Sequence, residues 1–202
     1  GVTTDAADAF GVANQLPNNV YAIIAGGVLS AVLVPQIVKA RSHKDDGLGY
    51  IDRLLTLAIT VFAVVTVAAT LAAPFLVSIY TTGWSPGQLA LATAFAYWCL
   101  PQLFFYGLYS MLGEVLNARS YFGPYMWAPV LSNLVGLIGW VAFLVIFGAD
   151  PTGESTVEDW TQSQIALLGG AATFGVVAQA LILFVAWRRI GIKFSFNFSW
   201  RG

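Results

Sequence analysis

Residues 14–19 read NQLPNN, four side-chain amides around Leu16 and Pro17, with the apolar FGVA before them and VYAIIAGGVLSAVLV after. The stretch is either a loop between two elements or a polar break inside one. As a loop it strands DAADAFGVA, which is far too short to cross a membrane and would leave its apolar residues as a surface tag. As part of one helix from about Asp8 to Pro35 or beyond, its 28 residues extend about 42 Å, so tilt or an exposed outer turn is expected. Asn18 and Asn19 then lie about 15 Å beyond Asp8, well inside a bilayer. At about 100° per residue, Asp8, Gln15, Asn19, Ala22, Gly26 and Ser30 fall within about 40° of one line, a face that is polar or small throughout. Polar groups facing lipid are costly, so this face is expected to look at protein or at a water-filled cavity. Pro17 removes a backbone donor and can bend the helix. Two readings stay open: the amides line a cavity, or they are glue between helices.

The rest of the composition agrees with a membrane setting. Of 202 residues, 9% are charged and 58% hydrophobic, whereas an ordinary soluble domain has roughly a quarter of its residues charged. Nine Lys plus Arg against ten Asp plus Glu leave a net charge of -1, so no global field steers nucleic acid, and no nucleic-acid partner is expected. Cys99 stands in an apolar run without a Cys or His nearby, which argues against a disulfide framework or a zinc site. With one histidine, no G-x-S-x-G, no H-E-x-x-H and no glycine-rich phosphate loop, the chain is expected to have no catalytic residues, metal or cofactor, and not to be an enzyme. It opens GVTTDAADAF, acidic and without a basic leader or an initiating Met, as expected of a fragment or processed segment starting just before a membrane helix.

A spanning helix needs about 20 mainly apolar residues, and the sequence predicts five spans, at approximately 8–38, 54–80, 89–115, 125–147 and 165–187. The fold class expected is therefore all-α, a single polytopic membrane domain over 1–202, with 188–202 as a basic cytoplasmic segment. All nine basic residues fall in alternate connectors: KARSHKDDGLGYIDR, NARSYFG and WRRIGIKFSFNFSWRG. The other connectors, including TTGWSPGQ and GADPTGESTVEDWTQ, have none. The positive-inside rule then starts the chain outside and ends it in the cytoplasm, with Ser42 inside and Ser155 outside. Trp84, Trp160, Trp187, Trp200, Tyr50 and Tyr80 lie near the proposed interfaces and read as lipid-belt anchors. Pro74, Pro101 and Pro129 interrupt predicted helices, which suggests a kinked bundle whose neighbouring helices satisfy the freed carbonyls. Gly136 with Gly139, and the run Gly169 to Ala172, fit close helix packing.

DAFGVANQLPNNVYAIIAGGVLSAVLVP, residues 8–35, resembles the second transmembrane helix of the MurJ/MviN lipid II flippases, with DAF, LPN and the GG-x-x-S-x-x-x-VP tail as matching pieces. GEVLNARSYFGPYMWAPVLSN, residues 113–133, is similar to that family's fourth-to-fifth helix crossing, and FSWRG resembles its link toward the next helix. The resemblance implies a multidrug/oligosaccharidyl-lipid/polysaccharide exporter fold of fourteen helices in two lobes, of which this chain would supply helices two to six. It implies alternating-access transport of a lipid-linked peptidoglycan precursor across the bacterial cytoplasmic (inner) membrane, with membrane lipids and the remaining transporter helices as partners. Where the family carries an arginine after LPN and an acidic residue further along, this chain has Tyr21 or its neighbours and Gly26. Both charges are gone, so no cation for a pyrophosphate is evident in this stretch. Of the family's acidic positions, Asp8 alone carries over by motif.

The candidate cavity or substrate residues are thus Asp8, Gln15, Asn18, Asn19 and Glu114. Asp8 reads equally as a helix N-cap or as a gate. Glu114, five residues before Arg119, reads as a carboxylate reaching the cytoplasmic interface or as a proton or head-group contact at the cytoplasmic mouth. Asn117 and Asn133 match the family pattern but equally suit helix caps or ties. His43 reads as a solvated surface residue, and the tract holding Asp150, Glu154, Glu158 and Asp159 lacks calcium-loop spacing and reads as an external loop. Two other functions remain open: a related polysaccharide-lipid flippase or small-molecule antiporter, and a non-transporting scaffold for cell-wall proteins.

Overall fold

The computed structural model describes residues 4–25, 48–150, 155–191 and 195–197. The second half of the expected 8–38 span, with Gly26 and Ser30, lies outside the described residues, as do Ser42, His43 and Trp200. Among the described residues the architecture is all-helical, with α1 (Asp5–Ile24), α2 (Leu48–Leu71), α3 (Ala73–Tyr80), α4 (Pro86–Cys99), α5 (Gln102–Ala118), α6 (Gly123–Phe147) and α7 (Gln162–Arg189). A short 3-10 turn, Val157–Asp159, precedes α7.

Local chemistry sets most helix ends. The Thr4 hydroxyl caps α1 by accepting from Ala7 N at 3.2 Å, with Asp5 and Asp8 in the first turn where the helix dipole favours acids. Thr4 is therefore the N-cap, and Asp8 is not. Ser85 caps α4 ahead of Pro86, whose missing N–H costs nothing at a first helical position. Thr161 and Gln164 form a reciprocal capping box on α7, whose last turn carries Arg188 and Arg189. α5 stops where Ser120 takes φ 59°, with Tyr121 N donating to Leu116 O and Ser120 N to Asn117 O, both at 2.9 Å. It is Asn117's backbone carbonyl, rather than its amide, that serves this stop.

The prolines act differently according to their neighbours. At Pro74 the expected 54–80 span becomes two helices, with the axes of Leu55–Leu71 and Ala73–Tyr80 bent by 72°. At Pro101 the expected 89–115 span divides into α4 and α5, which still read as one stretch, Pro86–Ala118. The turn tightens there through Leu103 N to Leu100 O and Phe104 N to Pro101 O, while the Thr173 hydroxyl of α7 donates to Trp98 O at 2.6 Å. Pro129 cannot bond the Tyr125 carbonyl four residues back, and the Tyr109 hydroxyl of α5 donates to that oxygen instead at 2.8 Å. α6 continues through it.

Among the described residues three helices, Pro86–Ala118, Gly123–Phe147 and Gln162–Arg189, are long and apolar enough to cross a membrane, and the bent α2–α3 pair makes a fourth if it counts as one span. α1 packs mainly on α4, α5 packs on α2 and α7, and α6 lies along α7. Close approach follows from small residues: Gly139 faces Ala171, Gly169 faces Trp98, and Gly113 faces the Tyr125 ring. Gly136 has no such neighbour. The buried side chains form two clusters, one around Phe95, Leu16 and Leu168, the other around Phe62, Met111 and Trp187. Trp187 corrects the lipid-belt expectation: it is 2% exposed, and its indole N–H donates to Leu112 O at 3.2 Å. Its ring fills the joint between α5 and α7, where the apolar body is buried and the single donor is matched.

Candidate functional site

α1 runs without interruption through NQLPNN, with Pro17 buried inside the helix. Its packing side is mostly alanine: Ala6, Ala9, Ala13 and Leu16 are buried against the first cluster, together with Pro17. The opposite side carries Asp8, Gly11, Gln15, Asn18 and Ala22, all exposed. A side chain at Gly11 would meet nothing within 4 Å. Asn19, expected on the line of Asp8 and Gln15, is half-buried at the edge of this face. The face is uncharged apart from Asp8, and α1 has no Lys or Arg.

The fourth amide behaves differently. Asn14 turns toward the body of the protein, where its Oδ1 accepts from Gln102 Nε2 at 3.1 Å. Gln102 is 1% exposed and sits one residue after Pro101. The same Nε2 group donates to Thr173 Oγ1 at 3.1 Å, and Oε1 accepts from the Tyr106 hydroxyl at 3.3 Å. One buried amide thus joins α1, α5 and α7. Within the hexapeptide Asn14 ties helices together, while Gln15 and Asn18 are left free of the packed body. Asn14, Gln102 and Thr173 were not among the sequence candidates. An amide in the apolar run just after a proline was the available signal for Gln102.

Glu114 is not brought to this face. It lies half-buried on α5 next to Gly113, the glycine that faces the Tyr125 ring. Gln88, near the start of α4, donates to the Asp5 carbonyl at the start of α1. Glu114 is about 39 Å further along the same span, so Asp8 and Glu114 stand at opposite ends of the bundle.

The exposed surface is of two kinds. On α6, Met126, Trp127, Leu137, Ile138 and Val145 are each at least 60% exposed and wholly suited to hydrocarbon. The α1 face offers amides, a carboxylate and small residues, which hydrocarbon would leave without partners. Neutral amides both donate and accept, so they can exchange hydrogen bonds with a hydroxyl-rich or hydrated group without holding an ion.

The sequence model of the family described as "Lipid II flippase MurJ" matches residues 1–202. A "Probable lipid II flippase MurJ" of Buchnera aphidicola subsp. Baizongia pistaciae (strain Bp) is 30% identical over 144 residues, which cover 69% of this chain and 28% of that protein. The chain thus matches little more than a quarter of that relative's length.

Proposed function

The chain belongs to the MurJ lipid II flippase family and is a membrane protein, and from that premise we propose that it forms part of a transporter moving a lipid-linked peptidoglycan precursor across the bacterial cytoplasmic membrane by alternating access. The observation that carries this reading is the outward face of α1, where Asp8, Gln15 and Asn18 lie opposite the alanine packing strip. Such a face is stable within a bilayer only against water or other polar groups. The polar head group passes along it while the lipid tail stays in hydrocarbon, so no covalent step is needed. α1 has no Lys or Arg, so a cation that grips the pyrophosphate comes from another part of the transporter. Asn19 borders the path. Glu114 belongs to the cytoplasmic mouth, one bundle length from Asp8.

The test uses the full-length protein in a flippase-depleted strain. Wild type is expected to restore growth, and Asn18→Leu to lower transport several-fold at normal abundance, because replacing an amide with leucine eases insertion. In a Cys99→Ala background, Asn18→Cys is expected to react with a water-soluble thiol reagent. Leu134→Cys, 53% exposed on the apolar α6, should react little, because thiolate forms poorly in hydrocarbon. An inert Asn18→Cys together with normal transport by Asn18→Leu would sink the cargo-path reading. Normal insertion without complementation by wild type would favour the scaffold function instead.

A further inference from the structure

The rotation of α1 about its own axis decides which amides face the path, and the alanines of its packing strip do little to set it. Ala6, Ala9 and Ala13 are methyl-sized and present a smooth surface to α4. Larger side chains engage the body along the rest of the helix: Leu16 and Pro17 are fully buried, Phe10 meets the Phe95 ring edge-on at 5.1 Å, and the Tyr21 ring lies 6.1 Å from that of Phe62 and 6.0 Å from that of Tyr106. Two buried glutamines of the α4–α5 span supply directional contacts. Gln88, 7% exposed, donates to Asp5 O at 3.3 Å, and Gln102, 1% exposed, donates to Asn14 Oδ1 at 3.1 Å. The first holds a backbone carbonyl near the end of the helix and is indifferent to side-chain direction. The second grips the first side chain of NQLPNN, about 40° around the helix from Asn18 and about 100° from Gln15.

We propose that Gln102 is a positioning residue of the transport face, holding α1 through Asn14 at the rotation that turns Gln15 and Asn18 away from the packed body. The proposal rests on the reading of that face as the cargo path. Gln102 is itself over-determined, because Thr173 and Tyr106 fix both ends of its amide while Thr173 is anchored to the carbonyl of Trp98. In a low-dielectric interior a buried amide matched at both ends is rigid and specifies one arrangement. Loss of the Gln102 donor removes a directional hold on the NQLPNN turn of α1 and lets that turn shift on its alanine strip. The exposed amides then lose their aim, although neither contacts Gln102.

The experiment separates stability from positioning in the full-length protein. In a Tyr106→Phe background, which takes away the hydroxyl that donates to Gln102 Oε1, Gln102→Met leaves the half-buried Asn14 amide with an unmatched oxygen, and it is expected to lower both abundance and transport. Adding Asn14→Leu removes the unmatched group, since replacing both partners by apolar groups of similar shape is nearly neutral for stability. In this double variant abundance is expected to recover while transport stays down about tenfold, a loss within the range that misplacing positioned groups produces. Labelling of Gln15→Cys by a water-soluble methanethiosulfonate, in a Cys99→Ala background, is expected to change several-fold in the double variant. A purely structural role predicts that transport recovers with abundance and that Gln15→Cys labels as in the parent, and this result overturns the proposal. The labelling reads helix rotation without cargo. A wild-type protein that does not complement therefore removes the transport reading beneath the proposal, whereas unchanged labelling overturns the positioning role itself.

Discussion

Asp159 illustrates how much one exposed side chain can organise. Its Oδ2 accepts from Thr156 N at 2.7 Å and from the Thr156 hydroxyl at 2.9 Å, closing the capping box of the turn before α7. The backbone hydrogen bond first, and the hydroxyl second, hold its carboxyl below the usual aspartate value. The folded value is depressed, so the local stabilisation is fully present above the ordinary value of about 3.9 and is lost as pH falls through the lower folded one. Amide exchange at Thr156, corrected for the intrinsic rate, is expected to stay slow at neutral pH and to speed up only below that ordinary value. Asp159→Asn should weaken protection at neutral pH and abolish this pH dependence. Protection that is unchanged in Asp159→Asn would show that the loop is held by other contacts, such as Asp150 accepting from Ser155 N at 2.9 Å.

At the scale of elements, the corner between α5 and α6 depends on one missing side chain. A Cβ on Gly113 would overlap the Tyr125 ring, which stacks on Tyr109 at 4.7 Å between centroids and 15° between planes. The same Tyr109 supplies the hydroxyl that relieves the Tyr125 carbonyl opposite Pro129. Displacing Tyr125 therefore disturbs both the stack and the proline's compensation. Gly113→Ala is expected to cost about 1–3 kcal/mol, the usual range for overpacking, and to lower the thermal midpoint of the purified protein. Gly123→Ala, with nothing within 4 Å of the added methyl, is the control and should cost much less. Equal losses in the two variants would mean that backbone freedom, rather than the Tyr125 contact, is what Gly113 contributes.

Across the whole molecule the two ends are chemically sorted. Trp187 bonds Leu112 O, and the Ser195 hydroxyl donates to Asp52 Oδ2 at 2.8 Å, which gathers the end of α7, the second half of α5 and the start of α2. Arg53, Arg119, Arg188 and Arg189 all belong to that end. At the other end, a pocket of about 380 Å³ is lined by Thr4, Asp150, Ser155, Asp159 and Gln164, among others, and contains no basic residue. This division supports a cytoplasmic basic end and an external acidic one. On intact cells, in a Cys99→Ala background, Ser155→Cys is expected to react with an impermeant thiol reagent, and Ser120→Cys only after permeabilisation. The reverse pattern would invert the orientation.

The helical class, the apolar stretches, the polar side of α1 and the sorting of charge were all legible in the sequence, because each follows from local composition and a 3.6-residue period. The cap of α1 is just as local, but the sequence reading puts it at Asp8, whereas Thr4 holds it. What the sequence left open depends on neighbours distant in the chain. Four amides of similar chemistry stand in NQLPNN, and only the position of Gln102, 88 residues on, separates Asn14 as a tie from Gln15 and Asn18 as a free face. Pro74 bends its helix pair by 72° while α6 passes through Pro129, since Tyr109 stands ready to take the freed carbonyl. Trp187 suited a lipid interface by its place at the end of an apolar run, yet the α5–α7 joint buries it. Periodicity identifies which side of a helix differs from the other; the tertiary structure decides what each side meets, because a hydrogen bond or a close contact needs a partner that no local window of sequence contains.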